Sequence, residues 1–573
     1  MLIQQKEEYD AIVVGSGISG GWAAKELTEK GLRTLVLERG RPVEHIKDYV
    51  TEHKPDYWFK LRQRRITPDS PLAKDYPVQA RTGQFVEAAV HFFVKDTKHP
   101  YLEDKPFTWI QGDQVGGRSL IWGRQTYRWS DLDFEANLRD GHGVDWPIRY
   151  KDIAPWYSYV EKHAGVSGEK LGLAHLPDGE FQHPMELNAG EKWVKAGIER
   201  EFPGRHVTIG RAAVLTEPIG DRQPCHFCGP CYRGCRTGSY FSSQSSTLPA
   251  AQKTGKLTLR PHSLTREVIY DEKTNRATGV RFVDTQTGAT HEAYAKVVFL
   301  CASTLGTTRI LLNSKSAHFP NGLGNSSGVV GQYLMDHHFI VGANGDVPGL
   351  LDHYYEGNRP NGFYIPRFRN VASSDSDKLT FVRGYGYQGG AGRMNWGRGA
   401  VQPGIGVDLK KKLHDAGPWT VGMTAFGECL PRKENHVWLD ADQKDEWGIP
   451  ILRIDCSWGP NELAMREDMR VQATEMLLAA GCGNVESYDG NKPGGLGAEP
   501  GLGIHEMGTA CMGRDPKTSV LNANNQLHDV PNVFVTDGAC MASSACQNPS
   551  ITYMALTARA ADFAVGELQR RNL

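Results

Sequence analysis

The chain has 573 residues, of which 65 are basic and 66 acidic, and 39% of its residues are hydrophobic. This apolar content excludes a disordered chain, and the length predicts about three or four domain-sized units. The near balance of charge argues against a protein that coats nucleic acid or an anionic membrane, because both usually require a basic excess. The 64 glycines exceed the ~7% average, which indicates many tight turns or close backbone approaches.

The N-terminal sequence carries no export or membrane signal. Its first ten residues, MLIQQKEEYD, are too charged for the apolar core of a secretory signal peptide. Elsewhere no stretch approaches the ~20 consecutive apolar residues of a membrane-spanning helix. We therefore expect no signal peptide in this chain and no direct membrane span.

The first motif is a strand, a glycine turn, a helix and a second strand. The first strand is the apolar run at 11–14, the helix covers 22–30, and the second strand covers 34–37. A G-x-G-x-x-G turn joins the first strand to the helix, and its glycines are Gly15, Gly17 and Gly20. This βαβ context is typical of dinucleotide binding, whereas the glycines alone would also suit a structural turn.

Each part of this motif has a role in holding a dinucleotide. The glycines let backbone N–H groups approach a pyrophosphate, and the helix N-terminus favours its negative charge. Glu38 closes the second strand and is expected to accept hydrogen bonds from a ribose. We also expect cofactor contacts from Ile18, Ser19 and Arg39. The motif alone does not separate NAD from FAD.

Three later stretches and this motif together resemble the glucose-methanol-choline (GMC) flavoprotein oxidoreductases. They are 114–122 (QVGGRSLIW), 296–314 (KVVFLCASTLGTTRILLNS) and 504–564. The resemblance covers essentially the whole chain. It implies FAD and an α/β fold, with a discontinuous Rossmann-like flavin domain and an α+β substrate domain that contains an antiparallel sheet.

The resemblance also implies how the chain divides. The flavin domain is predicted to comprise 1–165, 206–337 and 496–573, the last piece carrying the catalytic pair. The substrate domain is predicted to comprise 338–495 together with 166–205.

Further flavin contacts follow from the matched positions, which are Gly116, Gly117, Ser119, Trp122, Val268, Asp537 and Pro549. An ordinary turn is the alternative for the glycine pair and for the aspartate. Some family members attach flavin through a histidine in the 114–122 loop. Here the matching residue is Ile121, which cannot form that bond, so we expect non-covalent FAD.

A second motif is a run of four cysteines in PCHFCGPCYRGCRTG, with the spacing C-x2-C-x2-C-x3-C. Its members are Cys225, Cys228, Cys231 and Cys235. Thiolates are soft ligands, and this continuous run is typical of iron–sulfur proteins. Structural zinc more often uses two separated pairs, and it stays an alternative, as do disulfides or free thiols.

The kind of cluster stays open, because Arg236 follows the fourth cysteine where ferredoxins have proline, and no second run exists. Three thiolates would suit [3Fe–4S] and four would suit [4Fe–4S]. Sugar dehydrogenases resembling this chain carry such a centre on the flavin subunit, which favours a dehydrogenase over an oxidase.

The third motif is a histidine and an asparagine near the C-terminus. His505 and Asn548 match the family's catalytic pair, of which the first faces the flavin. Histidine is the usual general base near neutral pH, and a neutral amide beside it can orient a hydroxyl. Pro549 fixes the backbone beside this amide, and a terminal helix is expected at 551–568.

Three other segments receive predictions. A hairpin is expected over 268–284, and a helix near 461–480. His337, at the crossing into the substrate domain, is expected to be structural. The glycine-rich segment 384–399 is a candidate mobile lid whose Tyr385, Tyr387, Gln388, Asn395 and Trp396 would suit a sugar ring, and an incidental surface loop is the alternative.

The sequence thus predicts an FAD-dependent dehydrogenase that oxidises a secondary hydroxyl of a pyranose or glycoside, with C3 as the expected position. Electrons would leave through iron–sulfur to a partner, namely a small subunit and a cytochrome-type acceptor. An oxygen-using oxidase and a non-catalytic relay subunit are the alternatives. Two locations stay open, the cytoplasm or the periplasm by export with a signal-bearing partner subunit.

Overall fold

The computed structural model describes residues 8–61, 63–354, 357–372, 379–394, 398–399, 403–414, 417–491 and 497–573. Its strands are β1 (Glu8–Val14), β2 (Thr34–Leu37), β3 (Leu102–Glu103), β4 (Val166–Ser167), β5 (Phe181–Gln182), β6 (Thr208–Ile209), β7 (Leu257–Arg260), β8 (Ser263–Asp271), β9 (Arg276–Asp284), β10 (Thr290–Leu300), β11 (Val341–Val347), β12 (Phe363–Ile365), β13 (Tyr385–Arg393), β14 (Trp419–Gly427), β15 (His436–Lys444), β16 (Pro450–Asp455), β17 (Gly483–Asp489) and β18 (Val533–Val535). Its helices are α1 (Ile18–Glu29), α2 (Asp131–Phe134), α3 (Ala136–Asp140), α4 (Tyr150–Ala164), α5 (Ala189–Glu201), α6 (Thr247–Lys253), α7 (Thr304–Asn313), α8 (Gly406–His414), α9 (Pro460–Ala479) and α10 (Ser550–Gln569).

A seven-stranded sheet combines pieces from both ends of the chain. Its order is β7-β2-β1-β10-β9-β8, and β18 pairs with the end of β10. The strands β7, β2, β1, β10 and β18 are parallel, so their carboxyl ends meet at one edge. The parallel strands β1 and β2 are mostly buried, as their continuous apolar runs predict. Helix α1 packs against α10 and α6 beside this sheet.

The second sheet is antiparallel and has six strands, in the order β17-β11-β14-β13-β12-β6. Helices α9 and α5 pack on it and bury a separate core that includes Trp419, Met469 and Tyr387. The two sheets confirm the predicted fold class, a Rossmann-like α/β unit with an α+β unit that contains an antiparallel sheet. The exact domain boundaries stay a prediction, and β6 at Thr208–Ile209 joins the second sheet from within the piece assigned to the flavin domain.

Several predicted elements are confirmed. The hairpin is β8 and β9, the helix near 461–480 is α9, and the terminal helix is α10. The glycine turn, α1 and β2 also appear where the first motif places them. Across the described ranges, no helix combines the length and the apolar character needed to cross a bilayer.

The predicted lid at 384–399 is wrong over its described part. Residues 385–393 form β13, which pairs with β12 and β14 inside the second sheet. Tyr385 and Tyr387 are fully buried because alternate side chains of a strand face the same core. Gly389 permits the close pairing, since a Cβ there would lie 2.6 Å from the carbonyl oxygen of Gly422. Asn395 and Trp396 lie outside the described residues.

Candidate active site

A cavity of about 1280 Å³ lies at the carboxyl edge of the seven-stranded sheet. Val14, Leu37 and Cys301 line it, and they stand at or just after the ends of β1, β2 and β10. Ligands of open α/β sheets bind at this edge. Pockets for one small molecule usually measure about 300–1,000 Å³, so this cavity has room for a large cofactor together with a substrate.

The three glycines of the first turn are required for different steric reasons. Gly15 has a φ of +95°, and a Cβ there would lie 2.4 Å from the carbonyl oxygen of Cys301. At Gly20 a Cβ would lie 1.9 Å from the carbonyl oxygen of Gly15, so the helix and the turn leave no room. Gly17 has a φ of −66°, and a Cβ there would be 4.0 Å from its nearest neighbour. Open space therefore lies beside the backbone at the start of α1, where a pyrophosphate is favoured.

Glu38 is buried beside this turn and accepts three hydrogen bonds. Its Oε2 accepts from the N–H of Ser16 at 3.1 Å and from the hydroxyl of Ser16 at 2.6 Å, and its Oε1 accepts from the N–H of Gly40 at 3.0 Å. Burial raises the pKa of this carboxyl group. The Ser16 hydroxyl also accepts from the N–H of Gly116 at 2.8 Å, so one network ties Glu38 to both predicted cofactor loops.

The second loop approaches the first across the cavity. Gly116 has a φ of +88°, and the side chain of Gln244 occupies the place where its Cβ would stand. A Cβ on Gly117 would lie 3.7 Å from the Cα of Gly17. The two turns thus bring exposed backbone to one cavity, which is the arrangement that a dinucleotide cofactor requires.

Most residues predicted to bind the cofactor line this cavity. They are Gly15, Gly17, Ile18, Ser19, Glu38, Arg39, Gly117, Ser119, Trp122 and Asp537. Gly20 and Gly116 instead serve packing within the two loops, and Pro549 lies between the lining residues Asn548 and Ser550.

Val268 does not line the cavity, contrary to expectation. It is buried in the middle of β8, where its N–H donates to the Ser314 hydroxyl at 2.8 Å. The cavity meets the same strand at its first residues, 263–266, because only that end of the hairpin reaches the sheet edge.

Asp537 and a buried ion pair add charge to the cavity wall. Burial raises the pKa of Asp537 to about 6, although its carboxylate accepts from the Thr307 hydroxyl at 2.5 Å and from the N–H of Ala539 at 3.0 Å. Arg118 donates two hydrogen bonds to Glu506, at 3.0 and 2.8 Å. Neither member of this pair was predicted as a site residue, although Arg118 follows Gly117 and Glu506 follows His505.

His505 and Asn548 come together at the cavity wall, as the resemblance implies for a catalytic pair. The Asn548 amide donates to Nε2 of His505 at 3.4 Å, and its Oδ1 accepts from Nε2 of Gln388 at 2.6 Å. All three side chains line the cavity, and Gln388 reaches it from β13 of the second sheet. Among the described residues of the predicted lid, Gln388 and Gly389 line the cavity.

The electrostatic surroundings keep His505 neutral. Burial lowers its pKa well below 6.5, and the neighbouring His337 and the Arg118 guanidinium lower it further. General-base chemistry needs a neutral imidazole at the cavity wall, and His505 meets this requirement.

Asp336 and His337, which are adjacent in the chain, form hydrogen bonds to the loop that carries His505. The Asp336 carboxylate accepts from the N–H of Gly503 at 2.8 Å and from the N–H of His505 at 3.0 Å. Burial and the nearby Glu506 raise the pKa of Asp336 to about 7. Nδ1 of His337 lies 2.7 Å from Nδ1 of His505, so the histidine expected to be structural contacts the candidate base.

The four cysteines of the run line one small cavity of about 20 Å³, and all are free thiols. Burial raises the pKa of Cys225 to about 11, and the neighbouring thiols add to this effect. Gly229 and Gly234, with φ of +97° and +98°, turn the chain between them. Within the part of the chain that the structure describes, no group of three or more His, Cys, Asp or Glu residues is arranged so that it could hold a metal ion. The predicted metal centre is therefore not supported by this arrangement.

The cysteine cavity adjoins the large cavity. Pro360 lines both, while Tyr232, from within the cysteine run, lines the large one and Tyr240 lines the small one. The Arg124 guanidinium lies 5.1 Å from the Tyr232 ring centroid and 4.6 Å from that of Tyr240. These side chains form a shared wall between the two cavities.

Comparisons with known proteins identify relatives over almost the full length. Two models described as GMC oxidoreductase match residues 9–339 and 431–557. The chain is 30% identical to 2-methyl-1,2-propanediol dehydrogenase of Mycolicibacterium austroafricanum, over 97% of this chain and 95% of that protein. It is 25% identical to the fructose dehydrogenase large subunit of Gluconobacter japonicus, over 98% of each. A crystal structure of pyridoxine 4-oxidase from "Mesorbium loti" aligns with a TM-score of 0.58 at 17% identity, over 97% of this chain and 98% of that one, which shows a shared fold.

The first prediction separates cofactor contact from packing in the glycine turn. In Gly17→Ala the added methyl group enters open space beside α1, so we expect the apoprotein to keep its stability and FAD affinity to fall at least about tenfold, or ~1.4 kcal/mol. In Gly20→Ala the methyl group meets backbone, so we expect a loss of about 1–3 kcal/mol or more in the free energy of unfolding.

Fluorescence titration of the apoprotein with FAD and denaturant unfolding measure the two effects. Equal FAD affinity in Gly17→Ala and wild type would show that the pyrophosphate does not lie at this turn.

Proposed function

The chain belongs to the GMC oxidoreductase family, and we propose that it is an FAD-dependent sugar dehydrogenase that passes its electrons to a partner protein. The family is FAD-dependent and acts on the CH–OH groups of alcohols and sugars. We propose a secondary hydroxyl of a pyranose or glycoside as the reacting group, with C3 as the expected position. The observation that carries the proposal is the His505–Asn548 pair on the wall of a cavity with room for cofactor and sugar.

The residues present fit FAD. The open backbone at Gly17 and Gly117 would hold the pyrophosphate, and Glu38 would accept from the ribose. Asp537 would contact the flavin from the end of β18. No histidine stands at the position of Ile121, which supports non-covalent binding. When bound, FAD supplies the hydride acceptor.

His505 and Asn548 divide the work on the substrate hydroxyl. Nε2 of His505 takes the hydroxyl proton as the hydride leaves the carbon. The amide of Asn548 holds the hydroxyl oxygen close to this nitrogen and, being neutral, does not compete for the proton. Gln388 fixes the amide through its bond to Oδ1. This arrangement presents an alcohol to a base that is already deprotonated.

Polar side chains from the second sheet favour a sugar over a small diol. Besides Gln388, the residues Asn344, Thr424, Tyr488 and Asp489 line the cavity from β11, β14 and β17. Several donors and acceptors spread over one wall suit the hydroxyls of a pyranose ring. The relative named as a diol dehydrogenase makes a small diol the second candidate substrate.

Substituting the pair is the second prediction. We expect His505→Ala to slow flavin reduction about 10²–10⁴-fold, because the general base is lost. Asn548→Ala should slow it about 10–100-fold, because the hydroxyl is misplaced. Anaerobic stopped-flow mixing with glucose, methyl glucosides, fructose and 2-methyl-1,2-propanediol measures both effects and ranks the substrates.

His528→Ala is the matched control, because it removes an imidazole that does not line the cavity. All variants should retain FAD. Unchanged reduction in His505→Ala, with FAD bound, would refute the assignment of the base. Absence of bleaching in the wild type with every polyol would favour a non-catalytic relay subunit. The carbon position follows from the structure of the oxidised product.

The third prediction concerns how the rate of flavin reduction depends on pH. Because the pKa of His505 is lowered, the base stays unprotonated as the pH falls from 8 to about 6.5, and activity is lost only below that value. The positive charge of Arg118 and the neighbouring His337 act in the same direction. The rate of flavin reduction should therefore be flat from pH 8 to about 6.5. An inflection above pH 6.5 that disappears in His505→Ala would contradict this environment.

For the electron exit, we propose that the cysteine run holds an iron–sulfur cluster. Its support is the continuous spacing in the sequence and the wall shared with the large cavity, although the four thiols as placed do not form a metal site. The Cys225 sulfur also accepts from the N–H of Phe227 at 3.4 Å, a contact that tunes sulfur ligands. When bound, the cluster would supply a one-electron relay. Cys228 is exposed, so the relay would lie near the surface.

This exit requires a protein acceptor, which we propose to be a small subunit and a cytochrome-type protein. The relative named as a large subunit supports an assembly of more than one chain. In that case a partner could carry a signal for export to the periplasm, and the cytoplasm is the alternative location.

Metal content is the fourth prediction. We expect about three or four iron atoms per chain with matching acid-labile sulfide, for a [3Fe–4S] or [4Fe–4S] cluster. Cys225→Ser and Cys235→Ser should lose iron, whereas Cys482→Ser, which alters a buried thiol outside the run, should keep it. One zinc atom or no metal, together with stoichiometric peroxide in air, would favour the oxygen-using oxidase.

A further inference from the structure

The hydrogen bond between His337 and His505 has a direction that their other partners determine. The two Nδ1 atoms are 2.7 Å apart, and the ring planes are nearly perpendicular at 87°. Nε2 of His337 bonds to the carbonyl oxygen of Ala545. Because a carbonyl oxygen only accepts, Nε2 of His337 carries a proton.

The remaining protons follow from the neutrality of both rings. Burial lowers the pKa of His337 to about 4, and that of His505 lies well below its ordinary value. A neutral imidazole has a single N–H. Nδ1 of His337 is therefore the acceptor, and Nδ1 of His505 is the donor. Nε2 of His505 is left with its lone pair, toward which the Asn548 amide points.

We propose that His337 is a positioning residue that holds His505 in its Nδ1–H tautomer, with the lone pair of Nε2 facing the substrate hydroxyl. The inference rests on the proposed role of His505 as the base. The resulting chain of hydrogen bonds extends from the backbone of Ala545 through the imidazoles of His337 and His505 to the cavity. The opposite tautomer would place a proton on Nε2, and that nitrogen could not accept another.

The hydrogen bond from Nδ1 of His505 to Nδ1 of His337 also stabilises His505 after it has taken up a proton. The O–H bond of the substrate breaks, and its proton joins Nε2 of His505 while the hydride from the adjacent carbon passes to the flavin of the proposed enzyme. The alcohol becomes a carbonyl and the flavin is reduced, so electrons and protons balance. Nδ1 of His505 keeps its proton and still donates to the neutral ring of His337, which stabilises the imidazolium.

Two substitutions separate this role from simple anchoring. In His337→Gln the amide nitrogen can donate to the carbonyl of Ala545, but no acceptor stands near Nδ1 of His505. In His337→Asn the amide oxygen takes the place of Nδ1, so the acceptor is kept and the bond to Ala545 is lost. If His337 were only a structural anchor, His337→Gln would keep more activity than His337→Asn, because it keeps the bond to Ala545.

The direct readout is the tautomer of His505, measured by ¹⁵N NMR of the substrate-free FAD-loaded protein with labelled histidine. The His505 signals are assigned by their absence in His505→Ala. We expect Nδ1–H in the wild type and in His337→Asn, and loss of this single tautomer in His337→Gln. Flavin reduction should slow about 10–100-fold in His337→Gln, with FAD content unchanged, and His337→Asn should recover most of the rate.

His338→Gln is the matched control, since His338 is an adjacent buried histidine whose Nε2 faces the carbonyl of Glu428 instead. It should leave the His505 signals unchanged. An Nε2–H tautomer in the wild type, or an unaltered tautomer in folded His337→Gln, would overturn the inference. If no sugar or diol bleaches the wild-type flavin, the proposed function fails, and the NMR result still decides what His337 does to His505.

Discussion

The ladder between residues 331–337 and 503–509 is the contact on which the proposed site depends. Met335 and Met507 exchange two backbone hydrogen bonds at 2.9 Å. The Asp336 carboxylate accepts from the backbone N–H groups of Gly503 and His505. The first segment leads directly into β11 of the second sheet, whereas the second leads toward β18 of the first. A candidate base from the C-terminal segment is thus fixed at the place where the two sheets meet.

This placement explains why the cavity combines two kinds of wall. The parallel sheet contributes the open backbone of its glycine turn at its carboxyl edge, and this wall suits a phosphate-bearing cofactor. The antiparallel sheet contributes polar side chains such as Gln388. Because alternate residues of β13 face opposite sides, the same strand buries its tyrosines and turns its glutamine toward Asn548.

Local patterns in the sequence predicted the parts that depend on backbone geometry. The glycine turn and its helix follow from residue type and spacing, and the family resemblance supplied His505 and Asn548. The pattern at 384–399 was misread because glycines mark a flexible loop as readily as a closely paired strand. His337, Asp336 and the Arg118–Glu506 pair were missed because their roles depend on contacts between segments more than 150 residues apart. Spacing within one segment carries no information about such contacts.

The proposed reaction is the oxidation of a sugar hydroxyl beside His505 by hydride transfer to FAD. The most direct measurement is anaerobic flavin reduction by a glycoside that carries deuterium at the oxidised carbon. We expect the sugar to bleach the flavin, with a slower rate for the deuterated substrate and the same product from both. Bleaching at equal rates would show that breaking the C–H bond does not limit the reduction, and no bleaching by any sugar would contradict the proposed reaction.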